Sequence, residues 1–413
     1  MPAEALKCKE CREEYELGAS YVCEHCFGPL EVSYDHSALG DPAELRRKIQ
    51  AGPPSIWRYS DFLPFDRRPR TGLDAGYTPL IRSERLAERL GVGEVWVKND
   101  AANPTHSFKD RVVSVALARA GELGFETIAC ASTGNLANAV AAHAAAAGLE
   151  SYVLIPADLE QEKILATGAY GANVVAIRGN YDAVNRLCTE LAGDRPWAFV
   201  NVNLRPYYAE GSKTLAFEVA EQLRWELPDR VVAPIASGSL FTKVARGFEE
   251  FIDAGLVGGE LPAFNGAQAL GCSPVATAFE AGTEVCRPVK PDTIAKSLAI
   301  GNPADGPYAV ELARRTDGGI DSVTDDETRA GIRLLAETTG IFTETAGGVT
   351  TAVLAKLAER GDIGPDERVV LYITGDGLKT LDTVRGTFEV TEIAPSVDEF
   401  DAAFAGAGAG ATA

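Results

Sequence analysis

The sequence has no stretch approaching the roughly 20 apolar residues needed to cross a bilayer as a helix. Its opening residues, Met1 to Cys8, also lack the apolar core of a secretory signal. Both absences predict a cytoplasmic protein. Positive charge is scarce too: 39 Lys and Arg stand against 59 Asp and Glu, a formal net charge of −20 that is spread along the chain. Such a surface repels nucleic acid and anionic membranes, so neither is expected as a partner. It suits high ionic strength, where screening relieves self-repulsion, and a halophilic setting is expected, with ordinary acidity as the alternative. Aromatic residues make up only 8% of a chain that is 46% hydrophobic, which predicts an α/β interior rich in Ala and Val. A length of 413 residues allows two or three packed units. No internal repeat stands out, and no Gly-x-Gly-x-x-Gly opens a helix after a strand, which leaves hydride transfer with little support.

The eight cysteines fall into two sets. Cys130, Cys188, Cys272 and Cys286 are scattered singly and, in a reducing compartment, read as small buried hydrophobes. Cys8-x-x-Cys11 and Cys23-x-x-Cys26, with 11 residues between them, form two knuckles at a spacing suited to tetrahedral Zn²⁺. Neither pair has the βαβ surroundings of a redox dithiol. His25 and His36 lie close enough to replace a thiolate, but four cysteines already close the shell and leave no open catalytic position. The first 40 residues therefore read as a zinc-ribbon-like segment with a structural metal. A ribbon also raises a non-enzymatic reading, a nucleic-acid or protein-interaction module, and the net charge opposes the nucleic-acid version.

Short β-branched runs at 92–98, 126–131, 151–156, 173–178, 197–202, 230–235 and 368–374 alternate with helical periodicity, which predicts doubly wound parallel sheets covered on both faces. Asn135 to Gly148, nearly all alanine, predicts a tightly packed crossover helix stopped by Gly148. Residues 41–75 read as an arm from the ribbon to the sheets. The chain from about Pro395 on is low in complexity and predicted to be disordered.

Four segments at strand or helix junctions carry chemistry. Asn103-Pro104-Thr105-His106-Ser107-Phe108-Lys109-Asp110-Arg111 puts a lysine at a turn-to-helix junction, where an amine can meet a cofactor aldehyde and backbone N–H groups can meet anions. Ser132-Thr133-Gly134-Asn135 follows a strand and opens a helix, suiting a carboxylate; taken alone it could be simple N-capping. Ala236-Ser237-Gly238-Ser239 is a strand-to-helix turn of small residues able to cradle a phosphate. Thr374-Gly375-Asp376-Gly377-Leu378-Lys379 ends a buried strand, with Thr374 as a possible cap.

Together these segments resemble the fold type II pyridoxal-phosphate enzymes related to tryptophan synthase β and serine dehydratase. Ser-Phe-Lys-Asp-Arg and Thr-Gly-x-Gly-Leu-Lys look most like threonine synthases. Asn180-Tyr181-Asp182, Glu210 to Glu218, Ala299 to Pro303 and Gly340 to Glu344 match in the same order, so the resemblance spans roughly residues 1–385. It implies that Lys109 carries the cofactor and moves the substrate Cα proton. Asn135 would lie beside the ring hydroxyl, Ala236, Ser237, Gly238 and Ser239 around the phosphate, and Thr374 at the ring nitrogen. A hydroxyl there leaves the nitrogen largely unprotonated, which favours elimination over transamination.

The resemblance further assigns a small anionic amino-acid substrate to Ser107, Ser132, Thr133, Asn203 and Arg205, with Lys163 and Lys213 as other candidates for its phosphate. Two departures stand out. The family's Gly-Asn-x-Gly-Asn loop is Ala236 to Ser239 here, and the arginine before its Leu-Glu-Gly is Tyr208, with Arg205 available in its stead. Asp110 and Arg111 read as a structural ion pair or as helix-dipole neighbours. The implied reaction converts O-phosphohomoserine and water to threonine and phosphate. Cysteate synthase, acting on O-phosphoserine and sulfite, is the main alternative, followed by threonine or serine dehydratase. The implied organisation is a ribbon over 1–40, a larger domain from 41–100 with 205–392, a smaller domain over 101–204 and a tail over 393–413. Relatives of this kind are often homodimers.

Overall fold

The computed structural model describes residues 3–65, 72–132, 134–157, 161–178 and 181–404. Its strands are β1 (Ala3–Cys8), β2 (Glu14–Tyr15), β3 (Leu30–Tyr34), β4 (Leu80–Arg82), β5 (Glu94–Asn99), β6 (Thr127–Ala131), β7 (Glu150–Pro156), β8 (Asn173–Ile177), β9 (Ala198–Phe199), β10 (Arg230–Pro234), β11 (Ala263–Ala269), β12 (Gly319–Val323) and β13 (Arg368–Ile373). They form a small antiparallel sheet β2-β1-β3, a six-stranded sheet β12-β11-β10-β13-β5-β4 and a four-stranded sheet β8-β7-β6-β9.

All pairings in the two larger sheets are parallel except β4 with β5 at one edge. Helices cover both faces, as buried, near-continuous apolar strands such as Val-Val-Leu-Tyr-Ile in β13 require. Every run predicted as a strand overlaps one. The last run before residue 205 is cut to two residues because the chain turns back on itself. Val202 N donates to Phe199 O, and the Asn203 side-chain oxygen accepts from Phe199 N at 2.8 Å.

The segment after the ribbon is more than an arm. Asp41 caps the helix Pro42–Gln50 by accepting from Ala43 N and Glu44 N, both at 3.0 Å, and Pro42 sits at the position where its missing N–H costs nothing. Leu45, Ile49, Tyr59 and Phe62 enter the core around the larger sheet, where the rings of Phe62 and Phe251 lie 5.1 Å apart. The tail also differs from the predicted disorder: Val397–Phe404 is an exposed helix in which the Phe400 and Phe404 rings, one turn apart, lie 4.9 Å from each other. Among the described residues no helix is long and apolar enough to cross a membrane.

Charge is buried in two clusters. Arg111 does not pair with Asp110. Its guanidinium reaches Asp100 Oδ2 at 2.6 Å and Oδ1 at 2.8 Å, Glu218 Oε2 at 2.8 Å and Glu218 Oε1, while Lys98 Nζ donates to Glu218 Oε2 at 2.6 Å. Asp110 instead accepts from Thr105 N and Thr105 Oγ1, both at 2.8 Å, and lies 2.9 Å from His143 Nε2. In the second cluster Glu210 accepts from Lys213 at 2.5 Å, Lys243 at 2.9 Å and the Tyr34 hydroxyl at 2.6 Å.

The ribbon is seated on elements of both larger sheets. Tyr207 OH donates to Gly18 O at 2.9 Å and Arg119 to Leu17 O. On the other side Lys243 pairs with Glu31 at 3.1 Å, the Tyr308 hydroxyl donates to Glu10, and Lys9 Nζ stands 3.4 Å above the Tyr308 ring.

Candidate active site

The strand register brings the carboxyl ends of three neighbouring parallel strands together. Asn99 of β5 is opposite Ile373 of β13, and β13 is hydrogen-bonded along its other edge to β10. Ligands of open α/β sheets bind outside such ends. From β5 the chain passes through Asp100–Ala102 and a turn in which His106 takes φ +60°. It then enters the helix Lys109–Glu122. The turn is stitched to the end of β13: Phe108 N donates to Thr374 O at 3.0 Å, Asp376 N to His106 O at 3.1 Å, and Ser107 bridges Gly375. Lys109 is thus held at the first turn of its helix, and its Nζ donates to the Tyr208 hydroxyl at 2.7 Å. The Ser107 hydroxyl is buried and has no hydrogen-bond partner among the described residues.

Asn135 opens the helix Asn135–Ala147 after β6, as its position behind a strand predicted, and Gly148 ends that helix at φ +69°. The Asn135 side-chain amide donates to both oxygens of Glu344, at 3.1 and 2.9 Å, and its carbonyl accepts from Lys379 Nζ at 2.8 Å. Lys379 also donates to Thr105 O at 2.5 Å. Burial pushes the Glu344 carboxyl up, against the Asn135 hydrogen bond and the charges of Lys379 and Lys109, which pull it down. Burial pushes Lys379 down, against the pull of Glu344. Glu344 and Lys379 were not singled out as site residues from the sequence, although both end matched segments. Their meeting depends on the Thr343–Gly375 contacts, Glu344 N to Gly375 O at 3.1 Å and Thr343 Oγ1 to Gly375 O at 3.0 Å.

Ala236 to Ser239 connect β10 to the helix Ser239–Asp253. Gly238 is at φ +104°, and a Cβ there would lie 2.7 Å from Asp305 O, so only glycine fits. Asp305 N donates to Ser237 O at 2.8 Å and fixes the turn from outside. The first N–H groups of a helix have no intrahelical acceptor, so this one has amides free to meet an anion. A phosphorylated aldehyde fits these residues: an amine at Lys109, an anion seat at the Gly238 turn and an unused hydroxyl at Ser107. Replacing Gly238 with Ala should weaken retention of a phosphorylated cofactor at least ~10-fold, because positive φ and the contact with Asp305 both force the turn to move. Cofactor titration followed by absorbance checks this, and unchanged affinity would refute it.

The other expected ligands are placed as follows. Ser132 is buried beside the helix start, and its hydroxyl accepts from Gly134 N at 3.3 Å. Thr133 and the Lys163 side chain lie outside the described residues. Asn203 has its amide taken up by the backbone, its nitrogen donating to Trp197 O at 3.0 Å. Arg205 pairs with Asp305 at 3.0 Å and lines a cleft with Lys9, Glu31, Ser239 and Lys243, on the ribbon side of the turn. Lys213 is fully buried, donating to Glu250 at 2.9 Å and Phe62 O at 3.0 Å. It is therefore closed to a substrate phosphate.

In the ribbon, the sulfurs of Cys8, Cys11, Cys23 and Cys26 all lie within 4.8 Å of one another. Sulfurs at about 2.3 Å from a tetrahedral zinc would be about 3.8 Å apart; Cys8 to Cys26 measures 3.4 Å and Cys11 to Cys23 3.5 Å. Arg12 and Phe27, each one residue past a Cys-x-x-Cys pair, take φ +67° and +60°, which curls both loops around the sulfurs.

Known proteins match this chain in sequence and in fold. The profile of the family described as "Pyridoxal-phosphate dependent enzyme" matches residues 72–375. A threonine synthase of Methanosarcina acetivorans is 40% identical over 92% of this chain and 93% of its own length. Another, of Methanocaldococcus jannaschii, is 39% identical over 94% and 96%. Among solved structures, threonine deaminase isoform 2 of Solanum lycopersicum superposes with a TM-score of 0.65 at 20% identity, covering 93% of this chain and 92% of that one. Cysteine synthase of Entamoeba histolytica gives 0.63 at 18% identity, covering 79% and 92%. At these identities the two structures speak for the fold alone.

Proposed function

We propose, from the premise that this chain belongs to the pyridoxal-phosphate-dependent enzymes and among them to the threonine synthases, that it converts O-phosphohomoserine and water to threonine and phosphate. The observation that carries the chemistry is the convergence of Lys109, Asn135, Thr374 and the Gly238 turn beyond the carboxyl ends of adjoining parallel strands. Pyridoxal phosphate, when bound, supplies an aldehyde for an amine and a ring that takes up negative charge from the substrate Cα.

The protein's own groups do the rest. Lys109 Nζ holds the cofactor, then takes a proton from the substrate Cα and returns one there. Amides of the turn and first helical residues after Ala236 would hold the cofactor phosphate. The Thr374 hydroxyl would partner the ring nitrogen and, carrying no charge, would leave it largely unprotonated. Asn135, braced between Glu344 and Lys379, would orient the ring through its hydroxyl. The unpartnered Ser107 hydroxyl, with Ser132 and Thr133, receives the substrate carboxylate.

We further assign a structural zinc to Cys8, Cys11, Cys23 and Cys26, a cytoplasmic setting, a homodimer, and the partition into ribbon, larger domain and smaller domain that the three sheets support. Metal analysis should find zinc bound stoichiometrically, and a strong chelator should lower the thermal midpoint, because the knuckles lose the metal that joins their four sulfurs. A folded protein without metal at the same midpoint would end that assignment.

The functional reading is tested by assaying threonine and phosphate release from O-phosphohomoserine with added pyridoxal phosphate, across a salt series to molar KCl. Threonine appearing in step with phosphate is expected. A yellow, folded protein releasing no threonine would overturn the reading and direct the next assay to O-phosphoserine with sulfite.

A further inference from the structure

Tyr208 stands where the resemblance leads one to expect arginine, and its hydroxyl is 2.7 Å from Lys109 Nζ. The exchange is chemically large. A guanidinium only donates and would repel an ammonium, whereas a phenol accepts from an ammonium and donates to a neutral amine. The amine also lies 4.6 Å from the centroid of the Phe108 ring and 5.3 Å from that of the Tyr208 ring, so the two rings flank it.

Tyr208 is also fixed unusually well. It belongs to the helix Arg205–Glu210, which is anchored at Tyr207 by the bond to Gly18 O and at Glu210 by the buried cluster of Lys213, Lys243 and Tyr34. Just past its end, Gly211 rests against the helix that carries Lys109. A Cβ at Gly211 would come within 2.5 Å of Arg111 O and 2.6 Å of Val112 Cα. Tyr208 is three residues before this contact and Lys109 two residues before Arg111. The backbone contact therefore fixes the spacing of the two helices that carry hydroxyl and amine.

We propose that Tyr208 is a positioning residue for Lys109: its hydroxyl receives the ε-amine whenever that amine is not bound to the cofactor and fixes the direction from which it reaches the substrate. This rests on the reading of Lys109 as the cofactor lysine. Without the hydroxyl the freed amine samples several rotamers, and each proton transfer at Cα waits for the productive one.

The test is Tyr208→Phe, which keeps the ring against the amine and removes only the hydroxyl. In the cofactor-free protein, the rate at which pyridoxal phosphate becomes fixed to Lys109 by borohydride reduction is read by peptide mass spectrometry. In the holoenzyme kcat and KM are measured separately. We expect both the fixation rate and kcat to fall about tenfold, the loss of one hydrogen bond to a charged group, with KM and the thermal midpoint essentially unchanged. Fixation rate and kcat both within twofold of the parent would overturn the proposal, as would a drop in the thermal midpoint with no change in fixation. If the parent protein is never labelled at Lys109, the functional reading falls along with this one. Labelling at Lys109 that is indifferent to Tyr208→Phe overturns this one alone.

Discussion

Lys109→Ala should lose turnover by on the order of 10⁴-fold or more while remaining folded. One side chain holds the cofactor and carries the Cα proton, and loss of a group with both roles is not shared out among neighbours. Lys379, the other amine nearby, is committed to Asn135 and Thr105. Folding should survive because the helix Lys109–Glu122 buries Val112, Val113, Val115, Ala116 and Ala120, none of which depends on the amine, and alanine is the best helix former. The measurements are turnover, the absorbance of bound cofactor and the thermal midpoint. Turnover within tenfold of the parent would remove Lys109 from the chemistry.

Arg111→Met should have the largest effect on stability, about 3–5 kcal/mol, because among the described residues it leaves Asp100 and Glu218 buried with Lys98 as their remaining ion-pair partner. Methionine fills most of the volume, so the loss reports charge rather than a cavity. The same cluster predicts a pH dependence. Burial alone would raise the Glu218 carboxyl, but the charges of Arg111 and Lys98 outweigh it and hold the group at about 2, against an ordinary value of 4.5. A depressed carboxyl contributes stability in full above 4.5, and that stability is lost as the pH falls from there toward about 2. The parent should therefore lose stability steeply below pH 4.5, while in Arg111→Met, where the Glu218 carboxyl is no longer held so far down, this acid-side loss should be smaller. Urea unfolding across this range checks both parts. A difference below about 1 kcal/mol at neutral pH would show that the cluster contributes little.

What could be read in the sequence was local. β5, β6, β7, β8, β10 and β13 carry dense β-branched or apolar runs between turn residues, and each was expected near where it lies. β11, Ala-Phe-Asn-Gly-Ala-Gln-Ala, has no β-branched residue and is a strand because β10 and β12 pair with it on both edges. The site divides in the same way. Lys109, Asn135, Thr374 and the Ser237–Ser239 turn occupy strand or helix junctions, which leave a mark in short windows. The pairings of Asn135 with Glu344, of Asn135 with Lys379 and of Lys109 with Tyr208 join residues 209, 244 and 99 positions apart and leave no such mark. Asn203 and Lys213 show the converse. Their chemistry suits a phosphate, but nothing in their neighbourhood reveals that Trp197, Phe199, Phe62 and Glu250 already occupy them.

The seating of the ribbon has a mechanical corollary. Because it grips Tyr207 and Arg119 on one side and Lys243 and Tyr308 on the other, it ties elements of the two large sheets to each other like a strut. Any opening of the cleft by rotation of one sheet against the other has to break those contacts.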